Sequence, residues 1–385
     1  MSTRTILLTP VDAWFFRDGR PYNQGESGQT HAHSLFPPFA PTVVGMIRAS
    51  LARDRGWSGR GPWDESLHEV LGNGFHDLRQ LQFSGPFLKK EEQFLFPVPQ
   101  HLLGKTVAPD EKPEEQKWLP ATFQRPSTNP TTCDLGDLCL PAPQLPAEEG
   151  YQFKEPAGMW ITVDGYNQLL CGEVPVSASI VRSADLYCSE PRVGLARDHQ
   201  TRMAEEGKLY SPQYVRLEKE VSLAVGVQGV PDDWTLPSLV TFGGESRMAY
   251  CDSRTSPLPL PTAPADAIRQ SYQFTVTLLT PLFLPADDSG RHRHPLPGDV
   301  LPRLSGSWIV SACVGKPIQI GGWNSLHREP LPLRAYLPTG STWFCKTQED
   351  AVDAILDMHG KHIGDQTQYG LGQIALGAWP RPNGE

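Results

Sequence analysis

A β-rich α+β fold made of two split-βαβ units of the ferredoxin-like kind is what this sequence predicts, on three observations. Across 385 residues, 38 Pro and 35 Gly punctuate the chain too often for long helices, so strands, turns and long connections must carry most of it. The string "LLTP" occurs at 7–10 and again at 278–281, inside "TILLTPVDAWFF" from Thr5 and "FTVTLLTPLFLPAD" from Phe274. Both runs are rich in β-branched, Leu and aromatic residues, which reads as buried strand. A four-letter match arises about once by chance in a chain this long, so the flanks carry the inference. After each run come a polar loop, a Pro cluster and a stretch of helical spacing.

The elements follow in order. Each first strand must bulge or end at Pro10 and Pro281, because Pro donates nothing to a ladder. Val43, Ile47 and Leu51 then mark a helix with Thr42 as its cap, and "WDESLHEVLG" marks a second. Residues 104–160 are rich in Pro, Glu, Asp and Thr with few periodic apolar positions, which predicts an insertion or mobile surface segment. Strands resume in "SASIVRSADLYC" and "RLEKEVSLAVGVQGV". The stretch from Arg192 to 219 has strand-like ends and a polar centre, hence a projecting hairpin. "LVTFGGESRMAYCD" reads as one strand with a Gly pair at its start. In the second unit Leu304, Trp308 and Ala312 after Pro302 predict a helix, and "EDAVDAILDMHG" another, with Val352, Ile355 and Leu356 on one face and Gly360 as its stop. The predicted domains are 1–270, with the insertion and the hairpin, and 271–385.

Bulk properties narrow the function. Formal charge is -9, which argues against a general nucleic-acid coat protein, since phosphate binding works through counterion release by Lys and Arg. A local basic groove remains compatible with it. Seven cysteines without any C-x-x-C pair read as reduced thiols in a cytoplasm. No run of 18 apolar residues and no leader pattern occurs, so neither secretion nor a membrane span is expected.

Candidate chemistry lies in four places. "YGLGQIALG" puts Gly370, Gly372 and Gly377 before and within a strand, as an anion nest of backbone N–H groups or as a bulge or tight hairpin. "FFRDGRPYNQG" sets Arg17, Asp18 and Arg20 around a turn beside Phe15, Phe16 and Tyr22, either an RNA-stacking surface or a solvated Asp-Gly turn. His31 and His33, with Asp12 and Asp18 upstream, offer an acid and base for RNA cleavage or two metal ligands, but no further ligand has regular spacing. On the hairpin Arg192, Arg197, Arg202, Lys208 and Arg216 alternate with His199, Tyr210 and Tyr214. Asp198, Glu205, Glu206 and Glu218 offset their charge, so a backbone-tracking surface and a solvated hairpin are equal readings. Neither G-x-S-x-G nor H-E-x-x-H is present.

Several stretches together, "LTPVDAWFFRDGRPYNQG", "FPPFAPTVVGMIRASL", "RVGLARDHQTRMAEEGKLY", "FGGESRMAY", "GGWNSLHREPLPLRAYLPTGSTWF" and "YGLGQIALGAW", resemble a known family. It is the RAMP-superfamily subunit of the type III-B CRISPR (Cmr) effector complex that holds the 5′ end of the guide RNA. The resemblance implies two ferredoxin-like (RRM-like) domains with loop and hairpin insertions, a glycine-rich loop, no cofactor and no nuclease activity of its own. It implies a cytoplasmic ribonucleoprotein subunit gripping the 5′ tag of the CRISPR guide RNA. Its neighbours would be the large polymerase-like subunit and a backbone subunit, with target RNA met only indirectly and no membrane. Carried over by motif, the tag-binding surface comprises Arg17, Arg20, Arg48, Arg197, Arg202, Lys208, Tyr210, Arg247, Gly370 and Gly372. Tyr22 stands where Phe is expected, Met46 and Ile47 where a small residue and Leu are, and Arg202 where a small residue is more usual. The alternative is a repeat-RNA-processing endoribonuclease of the same superfamily using His31 or His33.

Overall fold

The computed structural model describes residues 3–17, 30–107, 117–134, 136–145, 152–198, 200–286, 294–324 and 329–381, with the side chains of 30, 31, 195–197 and 204–210 outside the description. The chain divides into two compact units, one of residues 1–92, 184–258 and 319–335, the other of 93–183, 259–318 and 336–385.

In the first unit, strands β1 (Arg4–Pro10), β3 (Gln82–Lys90), β15 (Val221–Gln228), β16 (Leu239–Thr241) and β17 (Met248–Arg254) pair antiparallel in the order β3-β15-β1-β17-β16. Ile6 and Leu8 of β1 are fully buried opposite Val225 and Leu223 of β15, and Thr5 before them and Leu7 between them are buried too, so both faces of the strand are covered. Helix α1 (Ala40–Asp54) buries Val43, Val44, Ile47 and Leu51. Its N-cap is Phe39 with no side-chain bond and Pro lies in its first turn, so Thr42 is inside the helix and not the expected cap. Helix α2 (Glu65–Leu71) starts as predicted, with the Asp64 carboxylate accepting from the Leu67 N–H. Gly72 ends it at φ +79, where a Cβ would meet the Asp77 carbonyl at 2.0 Å.

Two strands pair within 192–219. Strands β13 (Gly194–Arg197) and β14 (Ala204–Leu217) pair antiparallel. β14 also pairs with β12 (Tyr187–Pro191) antiparallel and with β2 (Thr30–Ala32) in parallel. "LVTFGGESRMAYCD" is two strands, β16 and β17, with the Gly pair in the turn between them, because Gly243 at φ +95 bends the chain. A two-stranded ribbon, β20 (Ile318–Asn324) with β21 (Glu329–Tyr336), completes this unit.

The second unit holds a four-stranded antiparallel sheet, β19-β22-β18-β23, from β18 (Gln273–Leu278), β19 (Ser307–Cys313), β22 (Thr342–Thr347) and β23 (Ile374–Gly377). Its core gathers Ile268, Phe274, Val276, Ile309, Trp343, Ile355, Ile374 and Leu376. With the edge strand β16 set aside, in both units the strand of the repeated "LLTP" is the first of four taken in the spatial order second-third-first-fourth, so β1 and β18 hold equivalent places. The repeat fails at the next element. Leu304, Trp308 and Ala312 do not make a helix: β19 alternates buried and exposed residues from Ser307 to Cys313, a period of two that pairing with β22 enforces. The helix expected over 349–360 is shorter, a 3₁₀ turn followed by α5 (Val352–Leu356), with Gly360 at φ +73 four residues beyond its end.

Residues 104–160 are not a bare surface segment where they are described. β5 (Leu102–Val107), β6 (Lys117–Pro126) and β9 (Pro141–Pro143) form one sheet, and β7 (Thr131–Cys133) pairs with β8 (Gly136–Leu138). Trp118 and Phe123 are buried, and Gly104 makes room for the indole, since a Cβ there would lie 2.1 Å from it. Of the two expectations, the mobile surface segment does not describe these strands, because two large aromatics anchor what composition reads as polar. β4 (Gln93–Pro97), β10 (Met159–Thr162) and β11 (Ile180–Arg182) pair antiparallel in the order β11-β10-β4, beside α3 (Val163–Leu170), which Thr162 caps. Helix α4 (Ala265–Ser271) contacts β18 and α5. All seven cysteines are free thiols; Cys133 and Cys188 are exposed, while Cys313 and Cys345 are buried. Among the described residues no helix is long and apolar enough to cross a membrane.

Candidate nucleic-acid interface

The chain leaving β1 builds a site at the foot of the hairpin in the first unit. Past Pro10 it turns through Asp12, and Trp14 and Val215 of β14 then exchange backbone hydrogen bonds of 2.9 and 2.7 Å. Trp14, Phe16, Phe36 and Phe242 form a ring cluster with centroids 4.9 to 6.5 Å apart. Phe15 packs on Tyr214 at 5.5 Å. The Gly pair is needed here: the Gly244 N–H donates to the Phe15 carbonyl at 2.7 Å, and a Cβ on Gly243 would sit 3.0 Å from that oxygen.

On this floor three guanidinium groups converge on one carboxylate. Arg192 Nη2 and Arg216 Nη2 donate to opposite oxygens of Asp12, each at 2.7 Å, and Arg247 Nη1 approaches at 3.3 Å. Glu190 bridges Arg192 and Arg216 from the other side. The guanidinium carbons of Arg192 and Arg247 lie 4.7 and 4.3 Å from the centroid of the Tyr214 ring, a cation–π arrangement, and the Tyr214 hydroxyl donates to Glu245. Register explains the convergence: Glu190 is opposite Tyr214, and Cys188 opposite Arg216, so residues two apart on each strand share one face.

The electrostatics follow from these contacts. The hydrogen bonds from Arg192 and then Arg216 hold the Asp12 carboxyl below its ordinary range, against a smaller opposing effect of burial. Glu190 is lowered by Arg216 and then Arg192. Burial, then the bond to Glu245, pushes the Tyr214 phenol up. Asp12 and Glu190 are therefore held ionised at neutral pH, and in formal charge three arginines stand against Asp12, Glu190 and Glu245. The foot is polar, partly open and nearly neutral.

The predicted site residues are distributed as follows. Arg247 belongs to this cluster. Arg17 is exposed and its backbone bridges Ser34. Arg202 is exposed in the hairpin turn at φ +57, where the Asp198 carboxylate caps the Thr201 N–H and the Arg202 N–H donates to the Asp198 carbonyl. Arg197, Lys208 and Tyr210 lie on β13 and β14, with side chains outside the described residues. Asp18, Arg20, Tyr22 and His199 are outside them altogether. Arg48 is a correction. Its side chain is buried, donates to the Gly74 and Gly72 carbonyls at 2.9 and 3.1 Å and lies over Trp63; it fastens α1 to the chain after α2 and offers no surface to a ligand.

Of the two readings of "YGLGQ" in the second unit, the tight turn is the one its glycine N–H groups fit. The Gly370 N–H donates to Thr367 and the Gly372 N–H to Pro281, while the Gly370 carbonyl accepts from Thr280 Oγ1 at 2.7 Å. His31 has only its backbone described, and His33 Nδ1 hydrogen-bonds Gln213 Oε1 at 2.7 Å. No group of three or more His, Cys, Asp or Glu able to hold a metal is found among the described residues. What sequence reasoning missed is Asp12 as the common acceptor and Glu190 as its partner. The Glu-x-Arg at 190–192 facing Tyr-x-Arg at 214–216 was the available signal.

Sheet and cluster together define a strand-dominated α/β protein that presents a hairpin on an arginine-rich and aromatic foot. The family model CRISPR-associated protein (Cas_Cmr3) matches residues 6–379, and the chain belongs to that family, whose members are subunits of type III CRISPR effector complexes. It is similar to a chain of the cryo-EM structure of the type III-B Cmr-beta bound to cognate target RNA, at 16% identity over 88% of this chain and 86% of that one, TM-score 0.49. A chain of the crystal structure of the Csm3-Csm4 subcomplex in the type III-A CRISPR-Cas interference complex is similar at 12% identity over 90% and 93%, TM-score 0.38. No curated protein matches the chain.

Proposed function

We propose that this protein holds the 5′ tag of the guide RNA in a type III-B effector complex and has no catalytic step of its own. Arginine side chains of the hairpin and its foot hold phosphates, rings stack unpaired bases, and the fixed RNA end sets the register of the assembly. Arg17, Arg20, Arg197, Arg202, Lys208, Tyr210 and Arg247 make up the contact set. The large polymerase-like subunit and the first backbone subunit are the protein neighbours, in the cytoplasm. The finer fold reading, two ferredoxin-like domains, is supported by the strand order common to both four-stranded sets.

The observation that carries the functional reading is the convergence of Arg192, Arg216 and Arg247 on Asp12, with the Tyr214 ring against Arg192 and Arg247, at the root of a hairpin that also bears Arg197, Arg202 and Lys208, in a chain of the Cas_Cmr3 family. Ultraviolet crosslinking of the assembled complex to guide RNA, with peptide mapping, tests it. Crosslinks confined to 12–22, 186–219 and 242–248 are expected, and guide retention unaffected by Arg202→Ala together with Arg247→Ala would refute it. Repeat-RNA cleavage lost on His31→Ala or His33→Ala would instead establish the endoribonuclease.

A further inference from the structure

Asp12 occupies an unusual position for a surface carboxylate. Both its oxygens accept from guanidinium groups, at 2.7 Å from Arg192 and 2.7 Å from Arg216, and a third arginine, Arg247, reaches it at 3.3 Å. Yet 45% of its side chain remains accessible, more than that of any of the three arginines (34%, 41% and 22%). The carboxylate is thus more open to solvent than the groups it binds. Arg247 is the least satisfied: its contact is the longest, and its buried Nε has no hydrogen-bond partner. Glu190 holds Arg192 and Arg216 from the opposite side, and Tyr214 supports Arg192 and Arg247 from below. Each guanidinium group therefore has a second partner besides Asp12.

A carboxylate and the two non-bridging oxygens of a phosphodiester present the same planar pair of acceptors to a guanidinium fork. Resting on the RNA-holding reading, we infer that Asp12 is an internal stand-in for a backbone phosphate: Arg192, Arg216 and Arg247 form a phosphate site that the Asp12 carboxylate fills until a single-stranded RNA displaces it. The opposite role, a keystone whose loss lets the arginines scatter, makes the opposite prediction. Displacement moves a loop carboxylate into water and releases no bonded atom, so it is a reversible exchange of anions on a fixed cationic frame. It also accounts for a nearly neutral foot on a hairpin meant to meet a polyanion: the charge is masked in the free chain, which limits unspecific association.

The test uses the full chain and fluorescence anisotropy with a single-stranded RNA octamer, over a salt series. Asp12→Asn keeps the shape and removes the charge. It is expected to tighten binding about tenfold, the scale of one charge-assisted hydrogen bond, and to steepen the salt dependence by about 0.7 per additional phosphate neutralised. Arg216→Ala should abolish that gain. Weaker or unchanged binding by Asp12→Asn, with the thermal transition intact, overturns the inference while leaving the RNA-holding reading in place. Should Asp12→Asn not fold, Asp12→Ser at the same position gives the same reading. If the wild-type chain binds no RNA, pyrophosphate titration separates the two ideas: a tenfold gain on Asp12→Asn upholds the phosphate site while the RNA reading falls, and no gain overturns the site.

Discussion

Gly372 approaches Ile363 so closely that a Cβ on it would lie 2.0 Å from the Ile363 carbonyl oxygen. The Ile363 N–H in turn donates to the Gly372 carbonyl at 2.9 Å, and Gly372 sits at φ +69. The glycines that looked like a ligand cradle thus let two segments of the same chain press together. Gly372→Ala combines a left-handed backbone penalty with an atomic overlap. It should cost about 3 kcal/mol or more and lower the melting temperature by roughly 10 °C, read by scanning calorimetry.

Acid should weaken the second unit through two histidines. Burial pushes His101 down to about 3, and burial with the nearby Arg303 charge pushes His362 down to about 4. Both are neutral in the fold, whereas the unfolded chain protonates them below about 6.5. The unfolded state then binds more protons, so their contribution is complete above pH ~6.5 and is lost as pH falls toward those values. At pH 5 each should have forfeited about 2 kcal/mol relative to pH 7.5. Denaturant titrations at the two pH values check this, and His101→Phe should reduce the difference.

Arg48→Leu should be a stability variant and not a binding one. It leaves the Gly72 and Gly74 carbonyls without the donors they now have, at about 3 kcal/mol. Chemical denaturation should register the loss while guide crosslinking stays at the wild-type level.

Arg202 and Arg247 should separate by the same pair of measurements. Arg202→Ala removes an exposed side chain and should lower guide crosslinking with the melting temperature within about 1 °C. Arg247→Ala also strips Tyr214 of one cation–π partner and should lower both.

Trp118 tests whether residues 104–160 are structural. Its indole is buried and donates to the Lys154 carbonyl at 3.1 Å. Trp118→Ala should cost about 3–4 kcal/mol, and limited proteolysis should then cut within β6 while leaving the wild-type chain intact there.

The strands around "LLTP", α2 with its Asp64 cap and the hairpin from 192 were legible because each rests on local rules: alternation, a capping carboxylate, turn residues. Thr42 misled because a favourable capping type loses to Pro41, whose fixed φ suits the first turn. Trp308 misled because Leu304, Trp308 and Ala312 fit a helical stripe as well as alternate positions, and only β22 decides between them. At the site, arginine and tyrosine were visible as types. That Asp12 would receive three of those arginines depends on strand register, which links residues some 180 to 235 positions apart and leaves no mark on composition. Arg48 shows the converse: a charge in a basic-looking helix can be entirely consumed by carbonyls within the fold.

The thiols described above supply a built-in clock for how each unit opens. Cys133 and Cys188 are exposed and should alkylate within the first minutes of labelling. Cys251 in the first unit is held up to about 11 by burial and then Asp252, and Cys313 in the second up to about 12 by burial and then Glu155, so neither is a thiolate until its surroundings come apart. Pulsed alkylation in rising denaturant, read by mass, would therefore time the loosening of the two halves separately within a single polypeptide.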